Sequence, residues 1–199
     1  MNTLIYDFET LSKDPANGAV VSLAMLNYDE KRISADVPYT YAELLGMCTY
    51  FKFDVIEQVK SYNRVIQQDT LAWWQAQIAK SPELQAQLDP SDDDVSIAEI
   101  PTLVNDNVNL TKLETTYTRG NTFDPPFMDS LCAASDQATP YPWYTVRDTR
   151  SMIDGMSWGI ELNNRFIPEG LEKQFVAHDP RHDIVMDVMR MQTLAQALR

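Results

Sequence analysis

Asp7 and Glu9 stand two residues apart at the end of an apolar opening run, Thr3 to Phe8, whose Tyr and Ile content predicts a β-strand. Alternate side chains of a strand share one face, so the two carboxylates project together while Phe8 points the other way. Like charges repel and burial disfavours ionisation, so such a pair is costly unless a cation neutralises it. A hard, oxygen-seeking ion such as Mg²⁺ would do so. The alternative is a sheet-edge strand whose acids simply face water. Asp7-Phe8-Glu9 is the sole Asp-x-Glu in a chain with 29 acidic residues, and it falls on the first predicted strand.

Three further groups extend the set. Asp124 closes Thr122-Phe123-Asp124, at the junction between a predicted strand and the next helix, where ligands and metals commonly sit in α/β sheets. It reads equally as an N-cap before Pro125 at the first helical position. Both histidines fall in Phe175-Val176-Ala177-His178-Asp179-Pro180-Arg181-His182-Asp183, which contains two overlapping His-x₄-Asp frames. His182 and Asp187 lie within one helix, where five residues of separation turns them about 140° apart. His178 lies in the loop before that helix and can reach Asp183 in its first turn, so the first frame is preferred. The plainer alternatives are a capping or surface histidine and an acid favoured by the helix dipole.

The elements that must position these groups alternate in type. After the first strand and the turn Lys13 to Gly18, a second apolar run spans Ala19 to Tyr28, and Arg32 to Pro38 is expected to return beside it as a β-meander. Helical pieces follow: Tyr41 to Met47, a segment from about Asp54, Thr70 to Ile78 capped by Asp69, and one opening at Ser81-Pro82-Glu83. Thr49 to Phe53 reads as extended. Ser96 with Glu99 forms a capping box heading a helix toward Asn109. Thr115 to Thr118 is a strand, Pro125 to Ala134 a helix, Tyr144 to Val146 another strand, and Asp148 to Met156 another helix. Ile184, Val188, Met191, Ala195 and Leu198 recur at helical spacing. Strands interleaved with helices imply an α/β fold with one central mixed β-sheet flanked by α-helices.

With 199 residues, 44% hydrophobic and 23% charged, the chain is expected to be one ordinary globular domain spanning 1–199. A net charge of −13 argues against broad, charge-driven binding to nucleic acid, which draws on Lys and Arg at phosphates. It leaves room for a site that recruits divalent cations, because part of the acid surplus lies between Glu83 and Glu114, facing only Lys112 as a solvated face. Cys48 and Cys132 lack metal-ligand spacing and read as small apolar residues in a reducing compartment. No signal peptide and no run of about 18 apolar residues is present, so a cytoplasmic location without membrane contact is expected.

Taken together, an Asp-x-Glu on the first strand, a mid-chain strand-end Asp and a final-helix His-x₄-Asp resemble the DEDDh exonuclease superfamily, the proofreading-exonuclease and ribonuclease T group. Asp7-Phe8-Glu9-Thr10, Thr70-Leu71-Ala72-Trp73-Trp74, Arg119-Gly120-Asn121-Thr122-Phe123-Asp124, Arg147-Asp148-Thr149-Arg150 and Phe175-Val176-Ala177-His178-Asp179 look like the exonuclease A group of tailed phages. The resemblance implies a ribonuclease H-like fold and metal-dependent 3′-to-5′ hydrolysis of phosphodiester bonds at DNA 3′ ends, single-stranded or duplex, with RNA as the alternative polymer. It also implies two Mg²⁺ ions, replaceable by Mn²⁺, held about 4 Å apart by Asp7, Glu9, Asp124 and Asp183. His178 is implied as general base, its ordinary pKa lying near working pH.

The same resemblance puts Phe8 and Thr10 beside the terminal nucleotide through backbone and hydroxyl contacts. Arg119, Arg147 and Arg150 either pair with phosphates or form ordinary surface ion pairs. Of the adjacent Trp73 and Trp74, the expectation places Trp74 against a base, with partial burial of both as the plainer account. A non-catalytic nucleic-acid-binding or interaction module is the rival from another class, and the complete set of four acids plus His178 counts against it.

Overall fold

The computed structural model describes residues 2–160 and 162–199. Five strands, β1 (Asn2–Thr10), β2 (Val20–Asp29), β3 (Thr49–Lys52), β4 (Leu113–Thr118) and β5 (Val146–Asp148), form one mixed sheet in the order β3-β2-β1-β4-β5. β1 runs antiparallel to β2 and parallel to β4, and β4 runs parallel to β5. The helices are α1 (Tyr41–Met47), α2 (Val55–Ser61), α3 (Gln68–Ile78), α4 (Gln85–Leu88), α5 (Ile100–Asn107), α6 (Asp124–Ala134), α7 (Thr149–Met156) and α8 (Pro180–Ala197). The expected α/β architecture with a mixed central sheet is what the chain adopts. Among the described residues no helix is long and apolar enough to cross a membrane.

β1 is the middle strand because both its faces are apolar. Leu4, Tyr6 and Phe8 pack with Ile100 and Val104 of α5 and Phe127 and Leu131 of α6. On the opposite face Ile5 packs with Ile184, Val188 and Met191 of α8. Each such buried aliphatic or aromatic side chain contributes about 1.5–3 kcal/mol, so α8 is pinned firmly across the face to which Asp7 and Glu9 belong. The β1–β4 ladder runs only from Asn2↔Leu113 to Ile5↔Tyr117. Beyond Ile5 the two strands part, and that gap is where the site opens.

Three local expectations need correction. Arg32 to Pro38 is not a strand: Glu30–Ser34 is a 3₁₀ turn capped by Asp29, whose side chain accepts from the Lys31 N–H. The strand beside β2 is instead β3, from Thr49. α3 begins at Gln68, so Asp69 sits in its first turn, where it pairs with Lys13, rather than at the cap. Trp143–Thr145 is a 3₁₀ turn, and the predicted strand starts at Val146. Ser96 and Glu99 do form both halves of a capping box, although the first turn they cap is 3₁₀ before α5 proper. Both cysteines are free thiols, Cys132 fully buried and Cys48 partly so.

Candidate active site

The carboxylates come from three elements that meet where β1 leaves β4. Asp7 and Glu9 occupy the C-terminal half of β1, opposite Ala24 and Ser22 of β2. Asp183 lies in the first turn of α8, whose start is fixed by Pro180 and by Asp179 accepting from the Arg181 N–H. Asp124 opens α6, and its Oδ1 accepts the Phe8 backbone N–H at 3.1 Å. That N–H belongs to the part of β1 past its β4 ladder, so Asp124 satisfies a donor the sheet leaves over.

His178 is held by its backbone in the left-handed region, φ 67°. Its N–H donates to Asp183 Oδ2 at 3.0 Å, and its carbonyl accepts from Gln87 Nε2 at 2.7 Å. The imidazole meets the Trp73 ring edge-to-face, with centroids 4.7 Å apart. A non-glycine residue in this conformation costs on the order of 1 kcal/mol or more, and these contacts hold it there. One ligand atom each from Glu9, His178 and Asp183 lies within 4.8 Å of the others. The preferred His-x₄-Asp frame is therefore the one whose members meet. In the other, His182 bonds the Tyr41 hydroxyl at 2.7 Å, while Asp187 faces arginines.

The electrostatics are those of a buried carboxylate cluster. Burial first, then the fields of Asp124, Glu9, Asp183 and Asp187, push Asp7 well above the usual carboxylate range. Glu9 is raised by burial and by Asp183, Asp124 and Asp179. Burial pushes Asp124 up to about 7 against the opposing Phe8 N–H, and Asp183 up to about 7 against the His178 N–H. Such a set is relieved by a hard divalent cation, which oxygen donors suit. His178 is shifted the other way, lowered by burial and by Lys80 and Arg165, which keeps its imidazole neutral near pH 7.

Asp7, Asp124, His178 and Asp183 line a cleft of about 600 Å³ whose other walls carry Arg119, Arg150, Arg165 and Arg190. Asp187, 1% exposed, binds Arg119 at 2.6 Å and Arg190 at 2.7 Å and accepts from the Thr149 hydroxyl. Arg190 in turn donates to the carbonyls of Phe166 and Arg165, and Arg119 to Asn164, so this hub holds the 164–166 segment at the cleft. Arg150 and Arg165 form no ion pair among the described residues. A cleft with acids at depth and, at Arg150 and Arg165, guanidinium groups without a carboxylate partner on its walls suits a phosphate-bearing ligand.

Several expected substrate contacts are placed differently. Trp74 is wholly buried, and its indole N–H donates to the Thr10 carbonyl at 2.9 Å. It supports the strand end and offers no face to a base; this corrects the assignment. Trp73 is the accessible one, 39% exposed. Phe8 is buried with its N–H given to Asp124, and the Thr10 hydroxyl donates to the Ser12 carbonyl at 2.8 Å. Arg119 reaches the cleft, but its guanidinium is tied to Asp187 and Asn164. Sequence reasoning missed Gln87 and Arg190, and it set Asp187 aside with the second His-x₄-Asp frame. The i,i+3 spacing of Asp187 and Arg190 on one helix was a usable signal; for Gln87 there was none.

Residues 2–192 match the model of the 3′-5′ exoribonuclease Rv2179c-like domain. The chain is 28% identical over 208 residues to the exodeoxyribonuclease of Enterobacteria phage T4, covering 96% of this chain and 88% of that protein. Among solved structures it is similar to the zinc-bound E. coli exonuclease I–single-stranded DNA complex, with a TM-score of 0.57 and 16% identity over 98% of this chain and 39% of that one. E. coli exonuclease I with a dT13 oligonucleotide gives the same TM-score, 13% identity, and 99% and 40% coverage. The chain thus spans about two fifths of those solved chains, and at these identities the likeness is one of fold, ribonuclease H-like. The chain belongs to the 3′-5′ exoribonuclease Rv2179c-like domain family, and with it to the 3′-5′ exonucleases of the DEDD type.

Proposed function

We propose that residues 1–199 act as one exonuclease domain that removes nucleotides from DNA 3′ ends, with divalent cations held by Asp7, Glu9, Asp124 and Asp183 and His178 as general base. The observation that carries this reading is the convergence of Glu9, His178 and Asp183 ligand atoms within 4.8 Å, beside a cleft walled by arginines. The chemistry two such ions supply when bound is neutralisation of charge at the scissile phosphate and a lowered water pKa. Mg²⁺ fits the oxygen-rich donor set, and Mn²⁺ substitutes.

The chain's own residues do the rest. His178, neutral near pH 7, accepts the proton that the attacking water loses as its oxygen bonds phosphorus and the bond to the 3′-oxygen breaks. Asp183 and Gln87 hold the His178 backbone from either side, and Trp73 limits its ring, so the base is positioned before substrate arrives. Arg150 and Arg165 are placed to meet the strand's phosphates.

DNA is favoured because the phage T4 relative, matched along most of both chains, is an exodeoxyribonuclease. RNA is the second reading, supported by the family's description. Incubation of 5′-labelled single-stranded DNA and RNA of matched sequence with Mg²⁺, Mn²⁺ or EDTA separates them. A ladder shortening from the 3′ end of DNA, lost in EDTA, is expected. Faster shortening of RNA would transfer the proposal to that polymer, and no metal-dependent product from either would leave a binding module.

A further inference from the structure

Behind the turn that carries Asp124 lies a second groove of about 690 Å³, lined by Asn121, Pro125, Asp129, Tyr141, Trp143 and Arg147, with Tyr144 at its edge. Trp143 is 84% exposed and Tyr144 63%, their rings edge-to-face at 5.9 Å. One exposed apolar side chain needs no explanation, but two adjacent large aromatics rimming a groove mark a surface built for contact.

Their support is rigid. Thr145 lies beneath them, its hydroxyl bonded to Thr116 at 3.0 Å and to the Pro142 carbonyl at 2.7 Å. Arg147 Nη1 donates to the carbonyls of Tyr144 at 2.7 Å and Val146 at 2.8 Å, and Arg147 forms no ion pair among the described residues. Its charge is thus held at the groove without a carboxylate partner.

The groove and the cleft are walled by neighbouring residues of one turn. Gly120, Thr122, Phe123 and Asp124 face the cleft, whereas Asn121 and Pro125 of the same turn face the groove. Tyr6 at the cleft and Tyr141 at the groove join through their hydroxyls. Arg150 lies at the cleft and Arg147 at the groove, so each carries a cationic side chain. We infer that the Trp143–Tyr144 groove is a nucleobase-stacking site, which takes an unpaired stretch of the strand whose 3′ end occupies the cleft. This rests on the function proposed above. Every base has a π-face, so the site would hold single strands with little sequence preference, and Arg147 would meet the accompanying phosphate.

The test compares wild type with Trp143→Ala, Trp143→Phe and the double change Trp143→Ala/Tyr144→Ala. Binding of fluorescent dT12 is read by anisotropy with Ca²⁺, and Mg²⁺-dependent hydrolysis is read with dT12 and with the p-nitrophenyl ester of thymidine 5′-monophosphate, which reaches only the cleft. Loss of one stacked base predicts about 10-fold weaker dT12 binding and a matching rise in KM in Trp143→Ala. Ester hydrolysis is expected to be unchanged, and Trp143→Phe to recover most of the affinity. Unchanged dT12 affinity in the double variant would overturn the inference, as would equal slowing of ester and dT12, or a change in sedimentation without a change in affinity. A wild type that binds dT12 yet cleaves nothing would sink the exonuclease reading, while the binding comparison still decides the groove.

Discussion

The backbone N–H of His178 donates to Oδ2 of Asp183 at 3.0 Å, so the proposed base and a proposed metal ligand are one hydrogen-bonded unit. The bond requires the left-handed turn at His178, and it leaves the imidazole free to face the cleft. Asp183 is therefore both a ligand candidate and the residue that sets where the base stands.

A residue at φ 67° is strained unless it is glycine. His178→Gly is accordingly expected to be more stable than His178→Ala by about 1 kcal/mol, although both lack the base. Urea unfolding checks the ranking, and an alanine variant the more stable of the two would mean that the turn is not maintained in solution.

In metal-free protein, Asp124 and Asp183 have pKa values pushed up to about 7, against about 3.9 for an unfolded Asp. The folded form therefore holds more protons between these values. Its stability is fully present below pH about 4 and falls as pH rises through about 7, by on the order of 1.4 kcal/mol per unit of pKa difference. In EDTA the Tm should drop from pH 5 to pH 8, and Mg²⁺ should raise it more at pH 8. Asp124→Asn should flatten the slope. A Tm in EDTA that climbs over this range would contradict the buried-acid cluster.

Asp187 neutralises two arginines whose side chains are 19% and 6% exposed. Asp187→Ala leaves both cations without that partner, which predicts a loss of about 3–5 kcal/mol in chemical unfolding. The 164–166 segment should loosen at the same time and become open to limited proteolysis. A loss under 1 kcal/mol would show that the hub carries little of the wall's stability.

The two adjacent tryptophans should separate cleanly. Trp74→Phe strips the donor from the buried Thr10 carbonyl and should cost about 1–3 kcal/mol of stability. Trp73→Ala removes an edge-to-face contact on His178, and such contacts are worth about 0.5–1.5 kcal/mol. Its kcat should therefore fall about 2- to 12-fold with the unfolding midpoint little moved. The reverse pattern would place Trp73 in the fold and Trp74 at the chemistry.

Much of this was legible in the chain. Period-two alternation put Asp7 and Glu9 on one face of β1, and Pro180 marked where α8 begins, which placed Asp183 in its first turn and His178 just before it. What the sequence could not carry depends on tertiary neighbours. Gln87 reaches His178 across 91 positions, and Trp74 reaches Thr10 across 64; neither leaves a local pattern. Asp124 was readable as a cap, yet its carboxylate serves a strand donor 116 residues away, exposed only because β1 and β4 diverge. Arg32 to Pro38 misled because Ile33, Ala35 and Val37 alternate with polar residues as in a strand, whereas Asp29 caps a 3₁₀ turn there.

The most direct measurement is single-turnover cleavage of 5′-labelled DNA in saturating Mg²⁺ by wild type, His178→Ala and His182→Ala. His178→Ala should be slower by about 10²- to 10⁴-fold, the usual contribution of a general base, and His182→Ala should stay close to wild type. Near-normal cleavage by His178→Ala together with loss of activity in His182→Ala would contradict the account.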